Sequence, residues 1–180
     1  MTRGVGTDNG WLKDHVRDVP DFPRPGVVFK DLTPLVGSGE ALRSCVDSLA
    51  AHVGGRPVDA VVGIEARGFI LAAPVAYRLG AGFVPVRKPG KLPWRVERQE
   101  YELEYGRDAL EIHGDALAPG ARVLVVDDVL ATGGTAAATA ALVERLGAEV
   151  VALGFVLELA FLGGRSRLEG RDVLSLLAYE

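Results

Sequence analysis

The chain has 180 residues, 48% hydrophobic and 24% charged, with a formal net charge of -4. That size and balance fit one soluble globular domain with a full core, and the acidic charge argues against nucleic-acid binding by the whole surface. No apolar run reaches the roughly 18 residues of a membrane span, and charges fall where a signal peptide needs an apolar stretch, so a cytoplasmic protein without a membrane partner is expected.

Residues 1–10 are polar and frayed in this reading, and residues 12–19 have the pattern of a short helix ended by Pro20 and Pro23. Residues 21–36 hold three prolines and predict little regular structure, yet they carry Val27, Val28 and Phe29, an apolar group suited to a core edge or to a lid over a planar ligand. Residues 40–52 have helical spacing. Cys45, the single cysteine, shares that spacing with Leu42, Val46 and Leu49, so it reads as a small buried hydrophobe and not a nucleophile.

Residues 58–64 predict a buried strand, and Arg67-Gly68-Phe69 opens a helix running to about Leu79. Glu65, Ala66 and Arg67 occupy the turn between them, where Arg67 supplies a planar, permanently charged fork for an anion; a structural salt bridge is the competing account. Residues 83–86 predict a third strand. Residues 85–98 hold five bases (Arg87, Lys88, Lys91, Arg95, Arg98) against Glu97 alone, a local +4 in an acidic protein, in a loop expected to run a dozen residues or more before the next element. Residues 101–105 and 109–113 read as a hairpin or flap.

Residues 123–138, VLVVDDVLATGGTAAA, are the stretch around which the chain is organised. Val123, Leu124, Val125 and Val126 make a strand buried on both faces, closed by Asp127 and Asp128. Ala131, Thr132, Gly133, Gly134 and Thr135 form a turn feeding an alanine-rich helix. Free N–H groups at a helix start, glycines without Cβ and two hydroxyls make a phosphate cradle, and adjacent carboxylates suit sugar hydroxyls or a divalent cation. The string is neither GxxxxGK[ST] nor GxGxxG. Beyond it, residues 149–157 predict a long strand, 161–169 a loop or short helix and 173–179 an edge strand. Alternating strands and helices give an α/β fold with a mainly parallel central sheet flanked by helices. His15, His52 and His113 lack metal-ligand spacing and read as surface or hydrogen-bonding residues.

VVDDVLATGGT resembles the phosphoribosyl-pyrophosphate (PRPP) motif of the type I phosphoribosyltransferases. With PDFPRPGVVFKDLTPL, GIEARGF, VRKPGKLP, YELEYG and the terminal SLLAYE in the same order, the chain is similar to the adenine phosphoribosyltransferase family from Pro20 to Glu180. The resemblance implies one domain over residues 1–180 with a small hood or flap at about 21–36 and 87–113. It implies a pentosyltransferase (a glycosyltransferase) of purine salvage that joins adenine to PRPP, giving AMP and pyrophosphate, as a cytoplasmic homodimer. Mg²⁺ is implied as cofactor, bound mainly through PRPP with no direct protein ligand assigned.

By matching position, the resemblance puts the 5′-phosphate on Ala131, Thr132, Gly133, Gly134 and Thr135, the ribose hydroxyls on Asp127 and Asp128, and pyrophosphate on Arg67 with its turn. Arg87, Lys88 and Lys91 become hood residues contacting pyrophosphate, from either subunit. Val28 and Lys30 read adenine through their backbone, Phe29 stacks on it, and Glu104 and Tyr105 lie near the reacting base. Asp127, Asp128, Arg67 and Glu104 are the catalytic candidates. Many members carry arginine at the position of Lys30. Because consecutive strand residues face opposite ways, Asp127 and Asp128 are expected to play different parts. The alternatives are another purine phosphoribosyltransferase, such as one for xanthine, and a PRPP-sensing regulator, for which the twenty residues before Asp21 provide no DNA-binding domain.

Overall fold

The computed structural model describes residues 9–102 and 106–180. Five parallel strands form the central sheet in the order β4-β3-β7-β8-β9: β3 (Ala60–Ile64), β4 (Gly82–Val86), β7 (Arg122–Leu130), β8 (Glu149–Leu159) and β9 (Val173–Tyr179). Every residue of β3 is buried, as continuous apolar runs require in a sheet covered on both faces. Helices α2 (Gly39–His52) and α3 (Gly68–Leu79) cover one face, where Leu49, Leu71 and Val75 meet Val61, Leu124 and Val126. Helix α4 (Gly134–Arg145) covers the other, where Leu142 and Val143 meet Val62, Val123 and Val125.

Strand order reverses between β3 and β7: β3 leads through α3 outward to β4, and β7 leads through α4 the other way to β8. The helices following the two strands lie on opposite faces, so a crevice opens beyond the carboxyl ends of β3 and β7, the place where open α/β sheets bind ligands. The turns at residues 65–67 and 131–133 both lie there.

Several expected elements differ in detail. Residues 12–19 are a 3₁₀ turn (Gly10–His15) followed by strand β1 (Arg17–Pro20) rather than one helix. Residues 21–36, expected to be irregular, contain β2 (Val28–Asp31), paired antiparallel with β1, and the short helix α1 (Thr33–Gly37). The prolines lie outside the strand, and Asp31 stabilises the start of α1 by accepting from the Thr33 N–H at 2.9 Å. The basic loop is shorter than expected, because β5 (Val96–Glu102) begins at Val96 and pairs antiparallel with β6 (Arg107–His113). That hairpin joins the sheet edge through reciprocal backbone bonds between Arg87 and Glu111 (2.9 and 2.7 Å). Among the histidines, His52 Nε2 lies 2.9 Å from Asp172, whereas His113 Nε2 is buried without a hydrogen-bond partner, which corrects the expectation for that residue.

The thiol of Cys45 is fully buried and desolvation pushes its pKa up to about 12, which leaves it a core residue. No described helix is long and apolar enough to cross a membrane.

At the opposite end of the sheet, Asp59 locks the starts of β3 and β7. Its carboxylate accepts from the Arg122 backbone N–H (2.8 Å), Nε (2.9 Å) and Nη2 (2.8 Å). Hydrogen bonds from Arg122 hold the Asp59 pKa at about 2 against an ordinary 3.8. A folded pKa below the unfolded one means stability that is fully present above pH 3.8 and lost as pH falls toward 2. Thermal melts of Asp59→Asn should therefore lie below wild type at neutral pH, with the gap closing across that acid window; a gap independent of pH would contradict this account.

Candidate active site

Strand β7 does not end at the acidic pair, as expected, but runs on to Leu130. Its alternation breaks there: Val126 and Val129 both pack with the α2/α3 core, while Val125 and Leu130 both pack with the α4 core. Strict alternation therefore cannot assign the faces of Asp127 and Asp128, yet their surroundings differ. Asp127 Oδ1 accepts the Asp128 N–H at 2.8 Å, and Asp127 lines an open cleft of about 280 Å³ with Val129, Leu130, Ala131, Thr132, Gly133 and Thr135. Desolvation, then the charge of Asp128, push the Asp127 carboxyl well above the usual carboxylate range. Asp128 is buried instead against Arg67, whose Nε lies 2.6 Å from Asp128 Oδ2. That contact is an ion pair without hydrogen-bond angles, so Oδ2 is a buried acceptor with no hydrogen-bond partner.

The salt-bridge account of Arg67 holds, and its partner is one of the candidate acids. Arg67 also sits 5.5 Å over the ring of Phe29, which meets Phe22 edge-to-face at 5.2 Å. Three residues far apart in sequence, Phe29, Arg67 and Asp128, are brought into one line. Val28 is half exposed beside them. The Lys30 ammonium is engaged elsewhere, donating to Asp18 at 2.7 Å and lying 4.4 Å over the ring of Tyr179.

The hood cations converge on Glu65. Its carboxylate accepts from Arg87 Nε (3.3 Å), from the Lys88 backbone N–H (2.9 Å) and from Lys91 Nζ. Burial pushes the Glu65 pKa up, but these partners together outweigh it and hold the group below its ordinary value. Lys88 Nζ pairs with Asp108 at 3.0 Å, and the Tyr101 hydroxyl donates to Asp108 at 3.3 Å. Tyr101 reaches the other turn as well, its ring packing over Gly134. Glu104 and Tyr105 fall outside the described residues.

Two close backbone approaches set this geometry. A Cβ on Gly68 would lie 2.7 Å from Asp127 Oδ1 and 3.1 Å from the Val126 carbonyl, so glycine there lets the start of α3 press against β7. Gly133 has φ 79°, and a Cβ on it would overlap the Gly164 carbonyl; one on Gly164 would overlap the Ala131 carbonyl and lie 2.8 Å from the Gly133 nitrogen. Gly164 is therefore the floor of the 131–135 turn. Its neighbour Arg165 is anchored to Glu158 (Nε to Oε1, 3.0 Å), the Val173 carbonyl (3.1 Å) and the Ser175 hydroxyl (3.2 Å). Sequence reasoning missed Glu65, Gly164, Glu158 and Arg165 as site residues; the glycine pair 163–164 was the one local signal.

Residues 36–169 match the family model of the phosphoribosyl transferase domain. The chain is 57% identical over 168 residues to the adenine phosphoribosyltransferase of Roseiflexus sp. (strain RS-1), covering 93% of this chain and 98% of that protein. It is similar to the crystal structure of adenine phosphoribosyltransferase from Thermoanaerobacter pseudethanolicus, with TM-score 0.91, 51% identity and coverage of 95% and 99%. The Saccharomyces cerevisiae enzyme, complexed with an imino-altritol bisphosphate and adenine, matches with TM-score 0.89, 41% identity and coverage of 94% and 98%. Taken with a glycine-floored turn and an acidic pair at the switch point of a five-stranded parallel sheet, these matches mean that the chain belongs to the phosphoribosyltransferase family and, within it, to the adenine phosphoribosyltransferases.

Proposed function

We propose that the protein transfers the phosphoribosyl group of PRPP to adenine, giving AMP and pyrophosphate, through one site built over the carboxyl ends of β3 and β7. The observation that carries this reading is the meeting of the 131–135 turn, the acidic pair and the Phe29–Arg67 contact at one crevice. The 5′-phosphate takes the turn, where the backbone of Ala131, Gly133 and Gly134 and the hydroxyls of Thr132 and Thr135 face it at the start of α4. The ribose hydroxyls take Asp127 and Asp128. Pyrophosphate takes Arg67 and the hood cations Arg87, Lys88 and Lys91. Adenine takes the backbone edge of Val28 and Lys30 with Phe29 against its ring; with the Lys30 ammonium committed to Asp18 and Tyr179, lysine in place of arginine does not alter a backbone contact. Glu104 and Tyr105 complete the base side.

Departure of pyrophosphate leaves positive charge on the ribose ring, so carboxylates beneath the ring and cations around the leaving group stabilise the same transition state from both ends. Among the described residues no three acids, histidines or cysteines are grouped to hold a metal. The donor set fits Mg²⁺ that would be held mainly by PRPP oxygens and water, with Asp127 the carboxylate that lines the cleft. When bound it supplies charge neutralisation to the leaving group. The hood hairpin, tied to the turn through Tyr101, excludes water from the reacting carbon. One domain spanning residues 1–180, with its hood at about 21–36 and 87–113, acts as a cytoplasmic homodimer. The second copy is supported by an apolar edge on α3 and β4, where Ile70, Phe83 and the 90% exposed Tyr77 face outward.

The reading is tested by a PRPP-dependent assay with adenine, hypoxanthine, guanine and xanthine, with and without Mg²⁺. Adenine should be preferred in kcat/KM by about 10²-fold or more, and chelation should abolish turnover. Preference for xanthine or another purine would move the chain to that specificity, and PRPP binding without turnover would make it a sensor.

The unequal surroundings of the acids predict unequal variants. Asp127→Asn removes a cleft-facing group and should lower kcat by about 10²-fold with little change in KM for PRPP. Asp128→Asn releases Arg67 and should raise KM for PRPP as well; matching kinetic losses in the two would refute the distinction. Gly164→Ala, whose methyl collides with turn backbone rather than with a movable side chain, should raise KM for PRPP about tenfold or more while the adenine KM stays near wild type. Wild-type kinetics in that variant would show that the turn is not fixed from below.

A further inference from the structure

The hood residues Arg87, Lys88 and Lys91 surround an anion supplied by the chain itself, and that anion is Glu65. Its side chain is 8% exposed. It takes Arg87, Lys91 and the Lys88 N–H at once, from a turn two residues before Arg67. A carboxylate with charge-assisted bonds to a guanidinium, an ammonium and a backbone N–H has the partners that a phosphoryl oxygen would take.

On the reading that pyrophosphate binds Arg67 and the hood, we propose that Glu65 is a positioning residue that gathers Arg87, Lys88 and Lys91 into a preformed cluster and, by its own charge, limits how tightly that cluster holds diphosphate. Two consequences of one side chain can be separated chemically. Glutamine at this position keeps an amide oxygen to accept from Lys88 and Arg87 but carries no charge; alanine loses both. The negative charge stands where the diphosphate must share its cations, so its removal strengthens diphosphate binding, whereas removal of the acceptor lets the cations disperse.

The test is titration of inorganic diphosphate with Mg²⁺ into wild-type protein, Glu65→Gln and Glu65→Ala, by calorimetry, with product inhibition by diphosphate measured alongside. Glu65→Gln should bind diphosphate about tenfold more tightly than wild type and show correspondingly stronger product inhibition. Glu65→Ala should bind more weakly than Glu65→Gln. Melting curves identify a variant that fails to fold, and Lys91→Gln, altering a half-exposed partner, then serves as the second arm: it should weaken diphosphate binding in the wild-type background. Glu65→Gln binding no more tightly than wild type overturns the limiting role, and so does an unchanged Lys91→Gln if that arm is needed. Wild-type protein that turns over PRPP but does not bind diphosphate also overturns the proposal while leaving the functional reading standing. Absence of both overturns the two together.

Discussion

The contact between Arg67 and Asp128 is the constraint on which the rest of the site depends. It joins the start of α3 to the acidic pair of β7 across the crevice where the sheet reverses direction. The close approach is allowed because Gly68 has no Cβ to strike Asp127 and the Val126 carbonyl. A buried carboxylate oxygen beside a guanidinium but outside hydrogen-bonding geometry is poorly satisfied, and an unmade buried hydrogen bond costs about 1–3 kcal/mol. A ligand that brings hydroxyl donors to Asp128 and anionic oxygens to Arg67 relieves that deficit at two points at once. The unmet acceptor of Asp128 and the charge of Arg67 thus serve one ligand together.

A second set of constraints holds the neighbouring turn. The 131–135 segment is fixed from below by Gly164 and from the side by Tyr101, which packs over Gly134. Gly164 is held in turn by Arg165, whose guanidinium is spread over Glu158, Val173 and Ser175 on β8 and β9. Positioning of the turn therefore reaches through the far half of the sheet. This explains why residues 164–168, which carry no chemistry, are wound into a tight 3₁₀ segment against α4 instead of a loose loop.

How much of this could be read from the sequence follows from the range of the forces involved. The strands of the central sheet were legible because burial on both faces leaves unbroken apolar runs, as in residues 60–64 and 123–126. Helix α2 declared itself through the helical spacing of Leu42, Cys45, Val46 and Leu49. The β1–β2 ribbon was missed because four-residue strands flanked by prolines have no period to detect, and pairing between residues 17 and 31 is decided by the turn between them. The acidic pair was recognised, but its unequal surroundings could not be derived from alternation, since the strand loses its period at that point. Glu65 was passed over as one more acid in a turn; its meaning comes from Arg87 and Lys91, more than twenty residues away.

The pairing of the site's cations follows from electrostatics. Arg67, Arg87, Lys88 and Lys91 are gathered at one sheet edge, and like charges so close repel strongly wherever water is partly excluded. Each is matched with a carboxylate on a neighbouring element: Arg67 with Asp128, Lys88 with Asp108, and Arg87 and Lys91 with Glu65. Such matching lets the folded chain gather positive charge at a site only partly open to solvent. It also means that an arriving phosphate meets cations that are already oriented and must be shared, so the net gain on binding is less than bare charges would give. For an enzyme that must release a diphosphate after every turnover, that reduced gain is an advantage: preorganisation is kept for the transition state, while the ground-state hold on the product is held down.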